Sequence, residues 1–220
     1  MITKIISFSG GMAAGKDTFG EAYKELCKRE NTKVRHLSFA NALKNEVDEL
    51  IRRVRNKESV AEISHAMGVN CIHINKLRNV ILEEDYMHPN FTVRDRTPAT
   101  RFLLQYWGTE VRRSQNDNYW VDIVKEQIKE NLKNNVNTYI TDARFINELK
   151  MLTSIGATTI LLDAPLEVRL KRLYDRDHIT VTEEQLKHPS ETQCLEYKDY
   201  TFIIDTTKQT PADLEKMLGE

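Results

Sequence analysis

The residues best suited to chemistry lie in a glycine-rich stretch, in which four residues separate Gly10 from Gly15 and Lys16 follows at once. This spacing is typical of a phosphate-binding loop. An apolar run over residues 2–8 precedes the loop and predicts a strand, and a helical pattern over residues 16–30 follows it. Glycines let backbone N–H groups turn toward phosphate oxygens, and the positive end of the next helix points to the same place. Lys16 would add a cation that follows a phosphoryl group in transfer.

The loop departs from the usual pattern at one position. Asp17 stands where the pattern has a serine or threonine that binds Mg²⁺, and Thr18 comes one place later. We expect Asp17 to hold the metal through its carboxylate or a water, or to leave it to other groups. The residues expected to hold phosphates are Gly10, Gly11, Ala13, Ala14, Gly15, Lys16, Asp17 and Thr18. The alternative is a glycine turn without a ligand.

Asp142 and Arg144 form a second candidate group. They follow residues 138–141, which predict a short strand. P-loop proteins place a metal-directing carboxylate after such a strand, and the planar fork of an arginine suits a phosphate. We therefore expect Asp142 to direct Mg²⁺ and Arg144 to bind phosphate. In the alternative, Asp142 caps the helix that begins near Phe145 and Arg144 is a surface residue.

Arginines and aromatic residues are concentrated in the middle of the chain. The arginines are Arg101, Arg112 and Arg113, and the aromatic residues are Tyr106, Trp107, Tyr119 and Trp120. A phosphorylated substrate needs cations and a nucleobase needs a flat apolar wall, so the combination indicates a nucleotide site. Taken singly, each aromatic residue fits the protein core better.

Arg169, Arg172 and Arg176 share one face of a predicted helix, at spacings of three and four. The polar, irregular residues 177–190 follow this helix. A helix, an irregular polar segment and another helix have the arrangement of a closing lid, whose arginines would neutralise a phosphoryl group in transfer. The alternative is a surface face that forms salt bridges with nearby acidic residues.

Strand and helix patterns alternate along the whole chain. Further strands are predicted at residues 33–39, 158–162 and 200–204, and helices are predicted to open at Pro165 and Pro211. Gly108 is predicted to end a helix that begins near Ala99. The alternation implies an α/β fold, a three-layer sandwich with a mostly parallel sheet, in which ligands bind beyond the carboxyl ends of the strands. The loop and Asp142 therefore converge on one sheet edge.

The composition fits one α/β domain. The chain has 220 residues, of which 40% are hydrophobic and 30% charged, and its net charge of −1 draws it to neither nucleic acid nor membrane. Its apolar runs are too short to span a bilayer, and the first strand starts too near Met1 for a signal peptide. The three cysteines are too scattered for a disulfide framework or a zinc site. We expect a cytoplasmic protein.

Residues 59–84 carry two helical patterns broken at Gly68. Their order of small apolar residues, glycine turn and apolar residues resembles a DNA-binding helix-turn-helix. The second helix would then present Asn70, His73, Asn75 and Lys76. The alternative is two core-packing helices joined by a glycine turn, and no basic excess of the chain favours DNA binding.

Taken together, these segments resemble the phage-type deoxynucleoside monophosphate kinases, a group of P-loop nucleoside monophosphate kinases. The likeness runs in order over nearly the whole chain. It is carried by residues 15–18, Phe39 and Ala40 with Lys44, Arg101 with residues 104–110, residues 119–121, residues 142–144 with Glu148, residues 156–158 and residues 188–191. Residues 105–110 and the Asp-x-Arg segment make the match specific, and an aspartate after the lysine is usual in these kinases.

The resemblance implies transfer of the ATP γ-phosphoryl group to a deoxynucleoside 5′-monophosphate, with Mg²⁺, for DNA-precursor synthesis in a phage-infected bacterium. The residues expected to bind the acceptor are Lys44, Arg101, Gln105, Trp107, Thr109, Arg113, Trp120, Arg144 and Glu148. The residues expected to act in catalysis are Lys16, Asp142, Arg144, Arg172 and Arg176, and the metal ligands would be Asp17 and Asp142. We expect one kinase domain over residues 1–220, with a helical acceptor-binding insertion at residues 45–98 and a lid at residues 177–190.

The expected partners are ATP and the nucleoside monophosphate, with no membrane and no nucleic acid, and a homodimer is left open. In-line transfer would need no covalent enzyme intermediate, because the acceptor phosphate is already a good nucleophile. Three alternatives stay open at this stage. They are another small-molecule kinase such as a dephospho-coenzyme A kinase, a P-loop ATPase without an acceptor, and a DNA-binding protein that uses residues 59–78.

Overall fold

Five strands form the central sheet of the computed structural model. They are β1 (Ile5–Ser9), β2 (Val34–Leu37), β3 (Asn137–Ile140), β4 (Thr158–Asp163) and β5 (Phe202–Asp205). The strands lie in the order β2-β3-β1-β4-β5, and every neighbouring pair is parallel. The structure describes residues 4–95, 97–178, 181–187 and 189–219, and the backbone alone of residues 177, 184, 185 and 190. The first two residues of the predicted strand at residues 2–8 lie outside this set.

Both faces of the sheet are covered. All five residues of β1 are buried, and because successive strand side chains point to opposite faces, neither face is open to solvent there. On one face, Ile6 and Phe8 join Phe19 and Tyr23 in a hydrophobic core cluster. This burial explains why β1 reads as a continuous apolar run, as strands of parallel sheets do. The predicted α/β fold with a parallel sheet is confirmed.

Helices fill the connections between the strands. They are α1 (Lys16–Arg29), α2 (Phe39–Arg55), α3 (Val60–Met67), α4 (Cys71–Met87), α5 (Pro98–Gln105), α6 (Tyr119–Lys133), α7 (Ile146–Ser154), α8 (Leu166–Asp177), α9 (Glu183–Leu186), α10 (Pro189–Glu196) and α11 (Leu214–Gly219). A π-helix (Tyr106–Arg113) follows α5, and a 3₁₀ turn (Pro211–Asp213) precedes α11. The sequence predicted Pro165 as the first residue of a helix. In the structure it is the cap residue, one position before α8 begins.

The chain divides into two compact units. Unit 1 comprises Met1–Phe39 and Ile123–Glu220, and unit 2 comprises Ala40–Asp122. The acceptor-binding role of residues 45–98 and the lid at residues 177–190 stay predictions, and residues 179, 180 and 188 of that lid lie outside the described set. Within residues 4–95, 97–178, 181–187 and 189–219, no helix is both long and apolar enough to cross a membrane.

The prediction that Gly108 ends a helix is wrong. The helix that starts as α5 continues into the π-helix, and Gly108 lies buried within it. A β-carbon at this position would lie 3.2 Å from Cδ2 of Leu43, on α2. The glycine is therefore explained by the close approach of a neighbouring side chain and not by a helix stop.

The two helices predicted on either side of Gly68 are present as α3 and α4. Asn70 caps α4, because its Oδ1 accepts a hydrogen bond from the Ile72 N–H at 2.9 Å. His73 Nδ1 lies 2.9 Å from the Tyr106 hydroxyl, and Lys76 Nζ lies 4.2 Å from the centroid of the same ring. Three of the four side chains predicted to read DNA are thus engaged inside unit 2, which favours the packing alternative.

Candidate phosphate-binding site

A tight glycine loop joins β1 to α1. Gly10 has φ +141°, and a β-carbon there would lie 2.4 Å from the carbonyl oxygen of Leu162 in the adjacent β4. Gly15, at the N-terminus of α1, has φ +98°, and Ala13 holds a left-handed φ of +57°, which costs a non-glycine residue about 1 kcal/mol. Strained backbone of this kind is concentrated at ligand sites. The strand, loop and helix predicted around these residues are all present.

Lys16 folds back over the loop. Its Nζ donates to the carbonyl oxygens of Gly10 at 2.9 Å and Gly11 at 2.7 Å. Burial, together with the nearby positive charge of Arg144, lowers the pKa of Lys16 to about 8, while Glu191 opposes both effects. Because an added anion would favour the charged form, the site is electrostatically prepared for one.

Glu191, on α10, links the loop to Arg144. Its side chain is 5% exposed. Oε2 accepts a hydrogen bond from the Met12 N–H at 2.6 Å, and Oε1 forms a charge-assisted contact with Nη1 of Arg144. The carboxylate thus bonds both to a loop amide and to the arginine predicted to bind phosphate. Sequence reasoning gave Glu191 no role, although it lies in one of the segments that carry the family resemblance.

Glu148 fixes the backbone of Arg144. It is buried, and its Oε2 accepts hydrogen bonds from the N–H groups of Arg144 at 2.8 Å and Phe145 at 3.1 Å. These are amides at the start of α7, where a carboxylate is favoured by the helix dipole. Glu148 therefore orients the segment that carries Arg144, while the predicted contact of Glu148 with an acceptor stays a prediction.

Asp142 lies at the N-terminus of α2. Its Oδ2 accepts from the Ser38 hydroxyl at 2.6 Å and its Oδ1 from the Phe39 N–H at 3.2 Å. Asp17 is exposed in the first turn of α1. Among the described residues, no group of three or more His, Cys, Asp and Glu side chains is placed to hold a metal. Mg²⁺ commonly takes one or two carboxylates plus substrate phosphates, and the roles of Asp17 and Asp142 as its ligands stay predictions.

Arg169, on α8, contacts the loop. Its Nη1 donates to the carbonyl oxygen of Met12 at 3.4 Å, and a β-carbon on Gly11 would lie 2.2 Å from the same nitrogen. Arg172, predicted as catalytic, donates instead to the hydroxyl at 2.9 Å and the carbonyl at 2.8 Å of Thr206. Arg176 is exposed. The spacing of three and four along α8 suggested the shared face but did not show which arginine meets the loop.

In unit 2, the carboxylate of Glu46 accepts hydrogen bonds from three side chains. Glu46 accepts from Trp107 Nε1 at 2.8 Å, from Arg112 Nε at 2.8 Å and from the Tyr119 hydroxyl. Burial and the adjacent Glu46 raise the pKa of Tyr119 to about 12. The π-helix thus presents Trp107 and Arg112 to the same acceptor on α2, which gives this irregular helix a structural reason.

The residues predicted to bind the acceptor differ in exposure. Trp107 and Trp120 are buried, and Trp120 Nε1 donates to the Gly108 carbonyl at 3.3 Å, so their burial does not favour contact with a substrate. The exposed members are Arg101, Gln105 and Thr109, and the half-buried ones are Lys44 and Arg113. These residues belong to unit 2, whereas Arg144 and Glu148 belong to unit 1 together with the loop.

Comparison with solved structures identifies a similar fold. An unliganded sugar kinase from a Janibacter species aligns with a TM-score of 0.50 at 15% identity, over 99% of this chain and 93% of its own. The protein TT1252 from Thermus thermophilus aligns with a TM-score of 0.47 at 18% identity, over 100% of this chain and 96% of its own. No protein family and no curated protein matches the chain.

The chain therefore shares the α/β fold of that sugar kinase, with five parallel strands flanked by helices and a glycine loop after the first strand. At 15% identity the likeness extends to the fold and not to the substrate of the sugar kinase.

Proposed function

We propose that this protein is a deoxynucleoside monophosphate kinase, which transfers the γ-phosphoryl group of ATP to a deoxynucleoside 5′-monophosphate. The observation that carries the proposal is the meeting of Lys16, the Met12 amide and Arg144 around the Glu191 carboxylate. Lys16 and the Met12 N–H from the loop, and Arg144 from the segment after β3, lie around a carboxylate of the chain itself. A transferred phosphoryl group needs this combination of donors.

Catalysis in this proposal comes from positioning and charge. The loop amides and Lys16 hold the ATP phosphates, and Arg144 stabilises the charge that spreads over the phosphoryl oxygens as the bond to the leaving group breaks. The acceptor phosphate attacks directly, so no general base is required. Mg²⁺, held with Asp17 and Asp142, would supply further neutralisation of phosphate charge when bound.

The choice of a deoxynucleotide acceptor rests on the family resemblance. Gln105 and Thr109 belong to one of the two segments that make that resemblance specific, and their side chains and that of Arg101 are exposed. Arg113 and Lys44 would add cations for the acceptor phosphate. Residues 177–190 would close over the site, with Arg172 and Arg176 at the base of this lid. These assignments belong to the proposal, as does a role in supplying DNA precursors within the cytoplasm.

An assay of ADP release with a panel of acceptors tests the proposal. The panel contains the four deoxynucleoside monophosphates, the ribonucleoside monophosphates, common hexoses and dephospho-coenzyme A, with a blank that lacks acceptor. We expect ADP release to depend on at least one deoxynucleoside monophosphate, and to be faster with it than with the ribonucleoside monophosphates or the hexoses. Release that is driven by a hexose or by dephospho-coenzyme A, or that needs no acceptor, would replace this function with one of its alternatives.

A further inference from the structure

We propose that the Met12 N–H and the Arg144 guanidinium form an anion subsite of the loop, and that Glu191 is its internal ligand, which a phosphoryl group must displace. The inference rests on the proposed function, because it assigns a phosphate to the site. It adds Glu191, to which neither the sequence pattern nor the family resemblance assigned a role, and it gives the Met12 N–H a specific partner. In this proposal, α10 is the helix that carries the displaced carboxylate.

The contacts of Glu191 define the subsite. Each carboxylate oxygen is used on a different segment, Oε2 on the loop amide at 2.6 Å and Oε1 on the guanidinium of Arg144. A loop N–H beside an arginine fork is also the donor set that binds phosphate oxygens. A carboxylate and a phosphate therefore compete for the same donors. The short contact shows that the loop at Met12 already accepts an anion.

The charges explain why the exchange is feasible. Arg144 lies close enough to Lys16 to disfavour the charged form of the lysine, and Glu191 offsets this effect. Removal of Glu191 alone would leave two neighbouring cations poorly compensated. If a phosphate takes its place, the cations stay paired, and the carboxylate leaves with α10. The energetic cost of releasing Glu191 lowers the apparent affinity of the loop for phosphate.

The exchange also ties Arg144 to the state of the loop. While Glu191 holds its guanidinium, Arg144 has less capacity to bind an incoming phosphate. When a phosphate occupies the loop and displaces Glu191, the N–H groups of the Arg144 guanidinium become free to bind that phosphate. Glu191 is thus a positioning residue that couples occupancy of the loop to the availability of Arg144.

Binding of inorganic tripolyphosphate, measured by isothermal titration calorimetry without any acceptor, tests the subsite. Glu191→Gln keeps the shape of the side chain but removes its negative charge, so the internal ligand competes less well with phosphate. We expect tripolyphosphate to bind about tenfold more tightly, which is the factor for exchanging a charged hydrogen-bond partner for a neutral one. Glu196→Gln is the matched control, since it removes the same charge from an exposed position of the same helix and should bind as the wild type does. Equal or weaker binding by Glu191→Gln would overturn the proposal.

Hydrogen exchange of the wild-type protein supplies a second test that needs no variant. With saturating tripolyphosphate, the amides of α10 that follow Pro189, at residues 190–196, should exchange faster while those of the loop exchange more slowly. Unchanged or slower exchange in residues 190–196 would show that Glu191 stays in place, and would also overturn the proposal. Neither measurement requires phosphoryl transfer, so a failure of the proposed kinase activity would be seen separately, in the acceptor panel.

Discussion

The backbone N–H of Met12 donates to Oε2 of Glu191 at 2.6 Å, although 179 positions separate the two residues in the sequence. The bond joins the loop after the first strand to a helix near the end of the chain. Through the other carboxylate oxygen the same side chain reaches Arg144, after β3. The candidate site is therefore built from three distant segments, and its chemistry depends on how their charges balance.

Binding of ATP should take up protons near pH 8. The pKa of Lys16 is about 8, so the amine is half-charged there, and the bound phosphates will raise this pKa and draw in about half a proton per site. The sign follows because an anion favours the protonated form. Calorimetry at pH 8 in two buffers of different ionisation enthalpy measures this uptake.

Two lysine variants control the uptake experiment. Lys16→Met should abolish the proton uptake, whereas Lys24→Met should keep it, because Lys24 is a half-exposed residue paired with Glu21 on the same helix. Uptake of the same size in Lys16→Met would assign the proton to another group. No uptake in the wild type would mean that the bound phosphates do not reach Lys16.

Gly10→Ala should destabilise the protein by about 3 kcal/mol, the sum of a backbone overlap and a left-handed conformation. The new methyl group would lie 2.4 Å from the Leu162 carbonyl oxygen, and φ is +141°. Gly156→Ala is the control, since its φ of +77° is unfavourable but no atom lies within 4 Å, and we expect a cost of about 1 kcal/mol. Urea unfolding measures both, and equal costs would contradict the close approach at Gly10.

Glu46→Ala should cost about 3–5 kcal/mol of stability, because it leaves the guanidinium of Arg112 buried without its carboxylate. The indole N–H of Trp107 and the hydroxyl of Tyr119 lose their acceptor as well. Glu126→Ala, which removes an exposed ion pair with Lys129, should change stability by no more than about 0.5 kcal/mol. Chemical denaturation compares the two, and a small effect at Glu46 would show that the network does not stabilise unit 2.

Local patterns predicted most of the framework. The glycine loop, the helix from Lys16 and the five strands follow from apolar runs, turn residues and helical spacing, which are properties of neighbouring residues. The parallel sheet follows from their alternation, and the edge that unites the loop with Arg144 follows from the sheet. These features could be predicted because each leaves a regular pattern among residues that are neighbours in the sequence.

The features that the sequence did not predict depend on contacts between distant residues. Gly108 resembles a helix stop, and only the side chain of Leu43 beside it explains a buried glycine inside a π-helix. Arg169 and Arg172 lie on the same predicted helical face, yet Arg169 contacts the loop while Arg172 contacts Thr206. The link from Glu191 to Met12 leaves no periodic signal, because it is a single bond across most of the chain.

The most direct test of the central claim is transfer of radioactive γ-phosphoryl from ATP to deoxynucleoside monophosphates, resolved by chromatography, with Mg²⁺ present. We predict that the wild-type protein labels a deoxynucleoside diphosphate, that Lys16→Met and Arg144→Met each lose at least about a hundredfold in rate, and that Lys24→Met does not. Label that appears only as inorganic phosphate, or transfer by Arg144→Met at the wild-type rate, would contradict the claim that Lys16 and Arg144 act together on one phosphoryl group.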